Sequence, residues 1–310
     1  MPHPLPFTGE RFVPGAASAK GEMWYEHWHR YHYVLPLVAG KNVLDVACGE
    51  GYGSALLSRT AAQVSGVDIA AEAIAHARHT YAERKNLSFT EGSCIKLPFD
   101  SASIDVVVSF ETLEHIHEQA PFLDEIKRVL KADGVLILSS PNKAEYSDKR
   151  GFTNEFHVRE LYRAELDALL APRFAHLRWL SQRNAFVSLI AEDGAAAAGE
   201  SLAVSQQAPD QPVAALPALY FLVIATNDAA ALADIPPRVS AFTDAEEWAY
   251  NDYRETYRGF RHYMQREQQL EAECAALRAE LDACRSGNPA VAHPASTDSW
   301  LARLIKRLAN

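Results

Sequence analysis

Residues 42–139 alternate between short apolar runs and amphipathic runs, and this alternation restricts the fold more than any other feature of the sequence. The apolar runs have the length and β-branched content of buried strands. They are residues 42–47, 63–68, 87–91, 104–110 and 134–139, with helical runs at 54–59, 71–83 and 120–130 between them. Strands that alternate with helices predict an α/β fold with a parallel, doubly wound sheet.

Two later apolar runs, residues 185–190 and 219–226, have no convincing helix between them. We expect them to form an antiparallel hairpin at the sheet edge, which gives seven strands. A helix is predicted over residues 158–170, before this hairpin. Residues 192–215 are rich in Ala, Gln, Ser and Pro without periodicity, and we expect a long, disordered insertion there.

The first predicted strand ends in a glycine-rich turn, VLDVACGEGYG, over residues 43–53. Its three glycines would let the backbone turn tightly and approach a ligand. Asp68, which ends the second strand, lies at the right separation to accept hydrogen bonds from a ribose diol. A nucleotide-like ligand is therefore predicted. A dinucleotide is disfavoured, because its G-x-G-x-x-G fingerprint requires Gly where Ser54 stands.

Several segments around this turn resemble the class I S-adenosylmethionine-dependent methyltransferases. They are VLDVACGEGYG, VSGVDIA, EGSCIKLPFDSASIDVVVSFETLEHI and FLDEIKRVLKADGVLILSSPN, and the resemblance extends over residues 41–227. It implies a Rossmann-like methyltransferase core over residues 41–228, S-adenosyl-L-methionine as cofactor and methyl transfer as the reaction.

The resemblance also implies a cofactor site at the glycine turn. Asp45 would brace the turn, Asp68 would take the ribose hydroxyls, and Ile69 would pack on adenine. The family often has Asp where Ser93 stands, and Cys94 beside it would offer only its backbone. The implied set is Asp45, Ala47, Gly49, Gly51, Gly53, Asp68, Ile69, Ser93, Cys94 and Phe110.

Two histidines are candidate general bases. A hydroxyl acceptor must lose its proton as it is methylated, and histidine titrates near neutral pH. His115 follows the fourth strand on the ligand side of such a sheet, and His157 is expected to begin a helix over the cleft. We interpret one of them as the base; the alternative for both is a structural role.

Residues 1–40 are interpreted as a cap over the cofactor and substrate cleft. An amphipathic segment in this position commonly closes over the cofactor in the family that the core resembles. Tyr25, His29 and Arg30 are therefore expected to contact cofactor or acceptor, with packing of an aromatic helix as the alternative.

Composition narrows the remaining classes of function. The 40 acidic residues exceed the 30 basic ones, which argues against a nucleic-acid partner. The four cysteines lack metal-ligand spacing, so no metal site is predicted. No run approaches the roughly 20 apolar residues of a membrane span, and residues 1–15 lack the layout of a signal peptide. We expect a cytoplasmic protein.

A long helix is predicted over residues 245–286, after a linker at 229–244. Its seam follows the a/d spacing of a coiled coil, which predicts a dimer or trimer. The alternative is a helix that docks on its own domain. The seam residues are Thr256, Phe260, Tyr263, Glu267, Leu270, Cys274, Leu277, Leu281 and Cys284.

Residues 298–310, DSWLARLIKRLAN, follow a flexible linker at 287–297 and have the pattern of an amphipathic helix. Apolar residues share one face and three basic residues the other, which favours binding to a membrane surface or a membrane-bound glycosyltransferase. Docking on another partner protein is the alternative. We expect the protein to lie peripherally at the inner face of the cell membrane.

This arrangement is similar to methyltransferases that cap O-antigen chains and terminate their growth. The segments TGERFVP and EHWHRY also resemble methyltransferase domains of polysaccharide gene clusters. The resemblance implies an O-methyltransferase for a terminal sugar hydroxyl of a lipid-linked surface polysaccharide. The alternatives are a methyltransferase for a small quinone-like acceptor, an NAD-dependent oxidoreductase and a noncatalytic scaffold in glycan assembly.

Overall fold

A computed structural model describes Val13 and residues 21–185, 204–205, 208–212, 216–233, 235 and 239–286. The chain divides into two compact units, residues 1–243 and residues 244–310. The first unit contains the predicted α/β core, and the second contains the predicted long helix.

Seven strands of the described residues form one mixed sheet in the order β3-β2-β1-β4-β5-β9-β6. Strands β1 to β5 are parallel, and β9 runs antiparallel between β5 and β6. The predicted Rossmann-like sheet with an antiparallel pair at its end is confirmed. The strands are β1 Asn42–Val46, β2 Gln63–Asp68, β3 Leu87–Glu91, β4 Ile104–Ser109, β5 Leu130–Pro141, β6 His176–Gln182 and β9 Tyr220–Thr226.

Helices cover both faces of this sheet. They are α1 Glu22–Val34, α2 Tyr52–Leu57, α3 Ala71–Thr80, α4 Gln119–Val129, α5 Arg163–Leu170 and α6 Ala230–Ala233. In β5, Leu136 and Leu138 pack in the core that contains α4 and α5, whereas Ile137 packs in the core that contains α1 and α2. Strands buried on both faces explain why the sequence shows continuous apolar runs rather than alternation.

The prediction that residues 185–190 form the edge hairpin with residues 219–226 was wrong. The partner of β9 is β6, His176–Gln182; Ala185 is exposed and lies outside any strand, and residues 186–190 are outside the described part of the chain. As an edge strand, β6 has the half-polar sequence HLRWLSQ and is mostly only half-buried. Its sequence therefore lacks the apolar run that marked the inner strands.

Two other elements differ from the prediction. Helix α5 begins at Arg163 rather than at residue 158, with the Glu165 carboxylate accepting a hydrogen bond of 2.9 Å from the Tyr162 backbone N–H. His157 therefore lies in the loop before α5 and does not begin a helix. Within the segment expected to be disordered, two short strands pair antiparallel: β7 Val204–Ser205 and β8 Ala208–Pro212.

The second unit contains α7, Trp248–Arg285, a helix of 38 residues. Its bounds agree closely with the predicted helix at 245–286, whereas the predicted coiled-coil pairing is untested. None of the helices in the described residues is long and apolar enough to cross a membrane. The predicted linker at 287–297 and amphipathic helix at 298–310 lie outside the described residues.

Candidate active site

The glycine turn after β1 lies at the carboxyl edge of the sheet. Ala47, Gly49 and Gly51 have left-handed backbone angles, with φ of 60°, 55° and 87°. Glycine adopts such angles at little cost, whereas Ala47 is strained by its Cβ. The turn is fixed to β2, since the Gly49 N–H donates a hydrogen bond of 2.8 Å to Asp68 Oδ2.

Asp68, the predicted ribose-binding residue, ends β2 beside the glycine turn. Its second oxygen, Oδ1, accepts a hydrogen bond of 2.9 Å from the Ala70 N–H at the start of α3. The side chain is held by two backbone donors and is half-buried. Ile69 beside it is 75% exposed, an apolar surface next to the turn that a purine ring would cover.

Asp45 is fully buried beneath the turn. It accepts a hydrogen bond of 2.6 Å from Ser54 Oγ and one of 3.3 Å from the Tyr31 hydroxyl. Burial raises the pKa of Asp45 to about 7, while the hydrogen bonds from Ser54 and Tyr31 act in the opposite direction. Asp45 thus joins β1, α2 and α1, and its bracing role in cofactor binding stays a prediction.

Gly53 has a packing role that the sequence did not reveal. A Cβ at this position would lie 2.0 to 2.4 Å from atoms of the Tyr31 ring, so the third glycine lets α1 pack on α2. The Tyr31 ring also contacts the ring of Phe110, at 5.0 Å between centroids. Three members of the predicted cofactor set, Asp45, Gly53 and Phe110, therefore contact α1 directly. Ser93 and Cys94 lie half-buried in the loop after β3.

The structure separates the three candidate substrate residues of α1. Arg30 is buried and donates from Nε to Gln182 Oε1 at 2.5 Å, with its Nη1 3.3 Å from Glu111 Oε1. His29 instead hydrogen-bonds Ser240 at 2.9 Å, and burial lowers its pKa to about 4. Tyr25 lies near Phe242, at 6.3 Å between ring centroids. Only Arg30 is placed beside residues at the carboxyl ends of strands.

Glu26 is a buried residue of α1 that the sequence analysis did not single out. Its carboxylate accepts hydrogen bonds of 3.0 Å from the Tyr220 hydroxyl and from the Asn184 amide. The Arg30 guanidinium lies over the Tyr220 ring, 4.5 Å from its centroid. The sequence offered one signal for Glu26. It lies one helical turn before Arg30 and therefore on the same face of a helix.

His115 and His157 come together across the chain, with ring centroids 4.9 Å apart. His115 Nδ1 donates to the Phe156 carbonyl at 3.0 Å. His157 Nδ1 lies 2.6 Å from Glu160 Oε1, and the His157 ring stacks on Tyr146. The structure thus places both candidate bases at one end of the sheet, and it adds Glu160 as the group that orients His157.

Glu114 completes this group. It is buried, and neither carboxylate oxygen has a hydrogen-bond partner among the described residues. Burial raises the pKa of Glu114 well above its usual range, and the nearby Glu111 adds to the effect. Ligand atoms of Glu114, His115 and His157 lie within 4.8 Å of one another and could hold a metal ion. The sequence did not indicate this group, because the loop with His157 is distant in sequence; the expectation that the protein has no metal site is untested.

Comparisons with known proteins define the core of the chain. Residues 44–138 match a family described as a methyltransferase domain. A probable S-adenosylmethionine-dependent methyltransferase of Mycolicibacterium smegmatis is 40% identical over 176 residues, which are 55% of this chain and 65% of the relative. One from Mycobacterium tuberculosis is 38% identical over 175 residues, 54% of this chain and 61% of the relative. Residues 44–138 thus match the model of a methyltransferase domain, and both relatives are described as probable S-adenosylmethionine-dependent methyltransferases.

A solved structure supports the fold of the matched core. It is the complex of the Haloferax volcanii methyltransferase activator Trm112 with a candidate methyltransferase. The TM-score is 0.50 at 22% identity, with 66% of this chain and 92% of that chain covered. Against its curated relatives, however, the chain spans slightly less than two thirds of their length.

The matched methyltransferase domain contains only part of the site. The glycine turn, Asp68, Glu114 and His115 lie within residues 44–138. Arg30 on α1 and His157 in the loop before α5 lie outside it. Residues outside the matched range therefore contribute to the part of the site near β4, β5 and β9.

Proposed function

We propose that this protein transfers the methyl group of S-adenosylmethionine to a hydroxyl of an acceptor held at the carboxyl edge of the sheet. The observation that carries the proposal is the pairing of two kinds of site at this edge. Asp68 and the glycine turn suit a nucleoside cofactor, and the buried polar group of Arg30, Glu111, Glu114, His115 and His157 follows along the same edge.

The residues present fit the cofactor. Asp68 has lone pairs beyond the two backbone donors that hold it, and these can accept hydrogen bonds from ribose hydroxyls. The exposed side chain of Ile69 offers an apolar surface for adenine. When bound, the cofactor supplies an electrophilic methyl group on a sulfonium. The chain's task is to hold the acceptor oxygen in line with that methyl group and to exclude water.

The polar lining favours an acceptor with several hydroxyls. Carboxylates accept hydrogen bonds from hydroxyls and a guanidinium donates them, and such groups are costly to bury beside an apolar ring. We therefore propose a sugar as the acceptor, at the end of a lipid-linked surface polysaccharide. In the transfer, the acceptor O–H bond breaks, the new O–CH3 bond forms, and the sulfur keeps the electron pair of the broken S–CH3 bond. His115 and His157 assist the loss of the proton.

Two relatives favour a second candidate, a small quinone-like acceptor. A ubiquinone biosynthesis O-methyltransferase of Glaesserella parasuis is 29% identical over 166 residues. A demethylmenaquinone methyltransferase of Tropheryma whipplei is 33% identical over 154 residues. This candidate accounts for the core, but it gives α7 no role.

We also propose that α7 joins copies of the chain as a coiled coil. Its apolar side chains are exposed, including Phe260, Tyr263, Leu270, Leu277 and Leu281. They follow the a/d spacing, and exposed apolar stripes of this length are typical of helices that self-associate. Attachment of residues 298–310 to a membrane, and with it a peripheral location, remains a prediction.

A transfer assay with labelled S-adenosylmethionine tests the acceptor. The full chain would receive, in parallel, a membrane extract with nascent polysaccharide and a panel of phenolic acceptors. We expect label at the polysaccharide terminus, and a loss of at least tenfold in His157→Ala relative to His117→Ala, an exposed histidine of the same segment. Label on phenols alone would support the quinone-like candidate. Cofactor binding without transfer would favour the scaffold.

A further inference from the structure

We propose that Glu114, His115 and His157 bind one divalent transition-metal ion at the acceptor end of the site. The three side chains offer one carboxylate oxygen and two imidazole nitrogens within 4.8 Å of one another. The role of the ion in catalysis rests on the proposed methyl transfer, whereas its binding can be measured without any transfer.

The buried carboxylate of Glu114 is the first reason. Its side chain is fully buried, and its two oxygens have no hydrogen-bond partner in the part of the chain that the structure describes. The guanidinium of Arg30 interacts electrostatically with Glu114. Among the described residues, however, it donates no hydrogen bond to this carboxylate, and its polar contacts are with Gln182 and Glu111. A carboxylate in such a place requires a proton or a cation. His115 Nε2 lies 3.8 Å from Glu114 Oε1, so a cation between them would contact both.

The orientation of the two imidazoles is the second reason. A carbonyl and a carboxylate can only accept, so Nδ1 of His115 donates to Phe156 and Nδ1 of His157 donates to Glu160. In the neutral rings the lone pair is then on Nε2. Metal-binding histidines are typically held in this way, with the second ring nitrogen donating to a carboxylate or a backbone carbonyl.

The loop that carries His157 is fastened to the turn that carries the other two ligands. The Glu114 carbonyl accepts hydrogen bonds from the Val158 N–H at 2.8 Å and from the Arg159 N–H at 3.0 Å. The Asn154 amide donates to His157 Nε2 at 3.0 Å, and this side chain must turn away when the ion binds. The ligands are therefore positioned by backbone contacts before any ion arrives.

The ligand set selects the kind of ion. Two imidazoles and one carboxylate suit Zn²⁺ and similar first-row dications better than Mg²⁺ or Ca²⁺, which prefer oxygen ligands alone. Three protein ligands leave a coordination position for an acceptor oxygen. An ion there lowers the pKa of the acceptor hydroxyl, whose proton passes to solvent water before the O–CH3 bond forms. His115 and His157 then assist proton loss as ligands.

Metal titration of the chelator-treated full chain tests the site. Co²⁺ would be followed by its visible absorption and Zn²⁺ by calorimetry. We expect one equivalent to bind, with affinity reduced at least tenfold in His157→Ala and in Glu114→Gln, and unchanged in His117→Ala. Glu160→Gln should weaken binding without changing the stoichiometry, since it only orients His157. Cofactor binding by each variant would verify its fold. If Glu114→Gln does not bind the cofactor, His115→Ala is used in its place.

The inference is overturned if the wild-type chain binds no stoichiometric ion, or if His157→Ala binds as tightly as the wild type. Methyl transfer measured with and without chelator separates the two proposals. Transfer that is intact in a chain without bound metal would remove the role of the ion in the reaction and leave the proposed function. One bound ion without transfer to any acceptor would leave the metal site and remove the proposed function.

Discussion

At the scale of single residues, Gly53 connects the cofactor turn to the N-terminal helix. We predict that Gly53→Ala lowers the free energy of unfolding by about 1–3 kcal/mol, as overpacking of a core does. The new Cβ would meet the Tyr31 ring at 2.0 to 2.4 Å, and displacing that ring disturbs its hydrogen bond to Asp45. Urea denaturation measures the loss, and weaker cofactor binding should accompany it.

Two controls distinguish this contact from a general effect of glycine. In a Tyr31→Ala background, the Gly53→Ala change should cost much less, because the clashing ring is absent. Gly259→Ala in α7 meets nothing within 4 Å and should leave the first unit unchanged. Equal costs of Gly53→Ala in both backgrounds would contradict the assignment.

At the scale of elements, α1 depends on the protonation of Glu26. Burial raises the pKa of Glu26 from its ordinary value of 4.5 to about 7, so the folded state holds the proton more tightly than the unfolded state. This stabilisation is complete below pH 4.5 and is lost as the pH rises through about 7. We predict that the wild type loses up to about 3 kcal/mol relative to Glu26→Gln over this range.

Chemical denaturation of both proteins at pH 5 and pH 8 measures this difference. Since other groups titrate equally in the two proteins, only the change in their difference reports on Glu26. A difference that is the same at both pH values would show that Glu26 keeps an ordinary pKa in the folded chain.

The elements that could be predicted from the sequence are those whose own apolar residues show that they are buried. Strands β1 and β4 lie between two helical layers, and their continuous apolar runs located them to within about a residue. Edge strand β6 escaped because its half-polar sequence is stabilised by pairing with β9. The start of α5 was placed too early, since apolar residues near Val158 belong to a loop held by the Glu114 carbonyl.

The residues of the site also differ in how far they could be predicted from the sequence. The residues of the glycine turn and Asp68 are recognisable because they are close in sequence and fixed in spacing. The group of Glu114, His115 and His157 could not be assembled in advance, because no spacing connects residue 157 to residue 114. The sequence also did not show that Arg30 is placed differently from Tyr25 and His29. Their placement depends on which face of α1 meets β6 and β9.

At the scale of the whole molecule, α7 decides the state of assembly. We predict that the purified chain is a dimer or trimer by sedimentation equilibrium. Leu270→Asp should shift it toward monomer, because it places a charge in the a/d seam. Ala272→Asp introduces the same charge in the same exposed helix outside that seam and should have little effect. A monomeric wild type, or equal effects of both changes, would refute self-association through α7.

The most direct test of the central claim is calorimetric titration of the full chain with S-adenosylmethionine. The account predicts one binding site, with affinity reduced at least tenfold in Asp68→Ala, because the side chain that receives the ribose and holds the Gly49 N–H is removed. Asp133→Ala, an exposed aspartate at a distance from the turn in sequence, should bind as the wild type does. Absence of binding by the wild type, or equal affinity in Asp68→Ala, would contradict a cofactor site at the glycine turn.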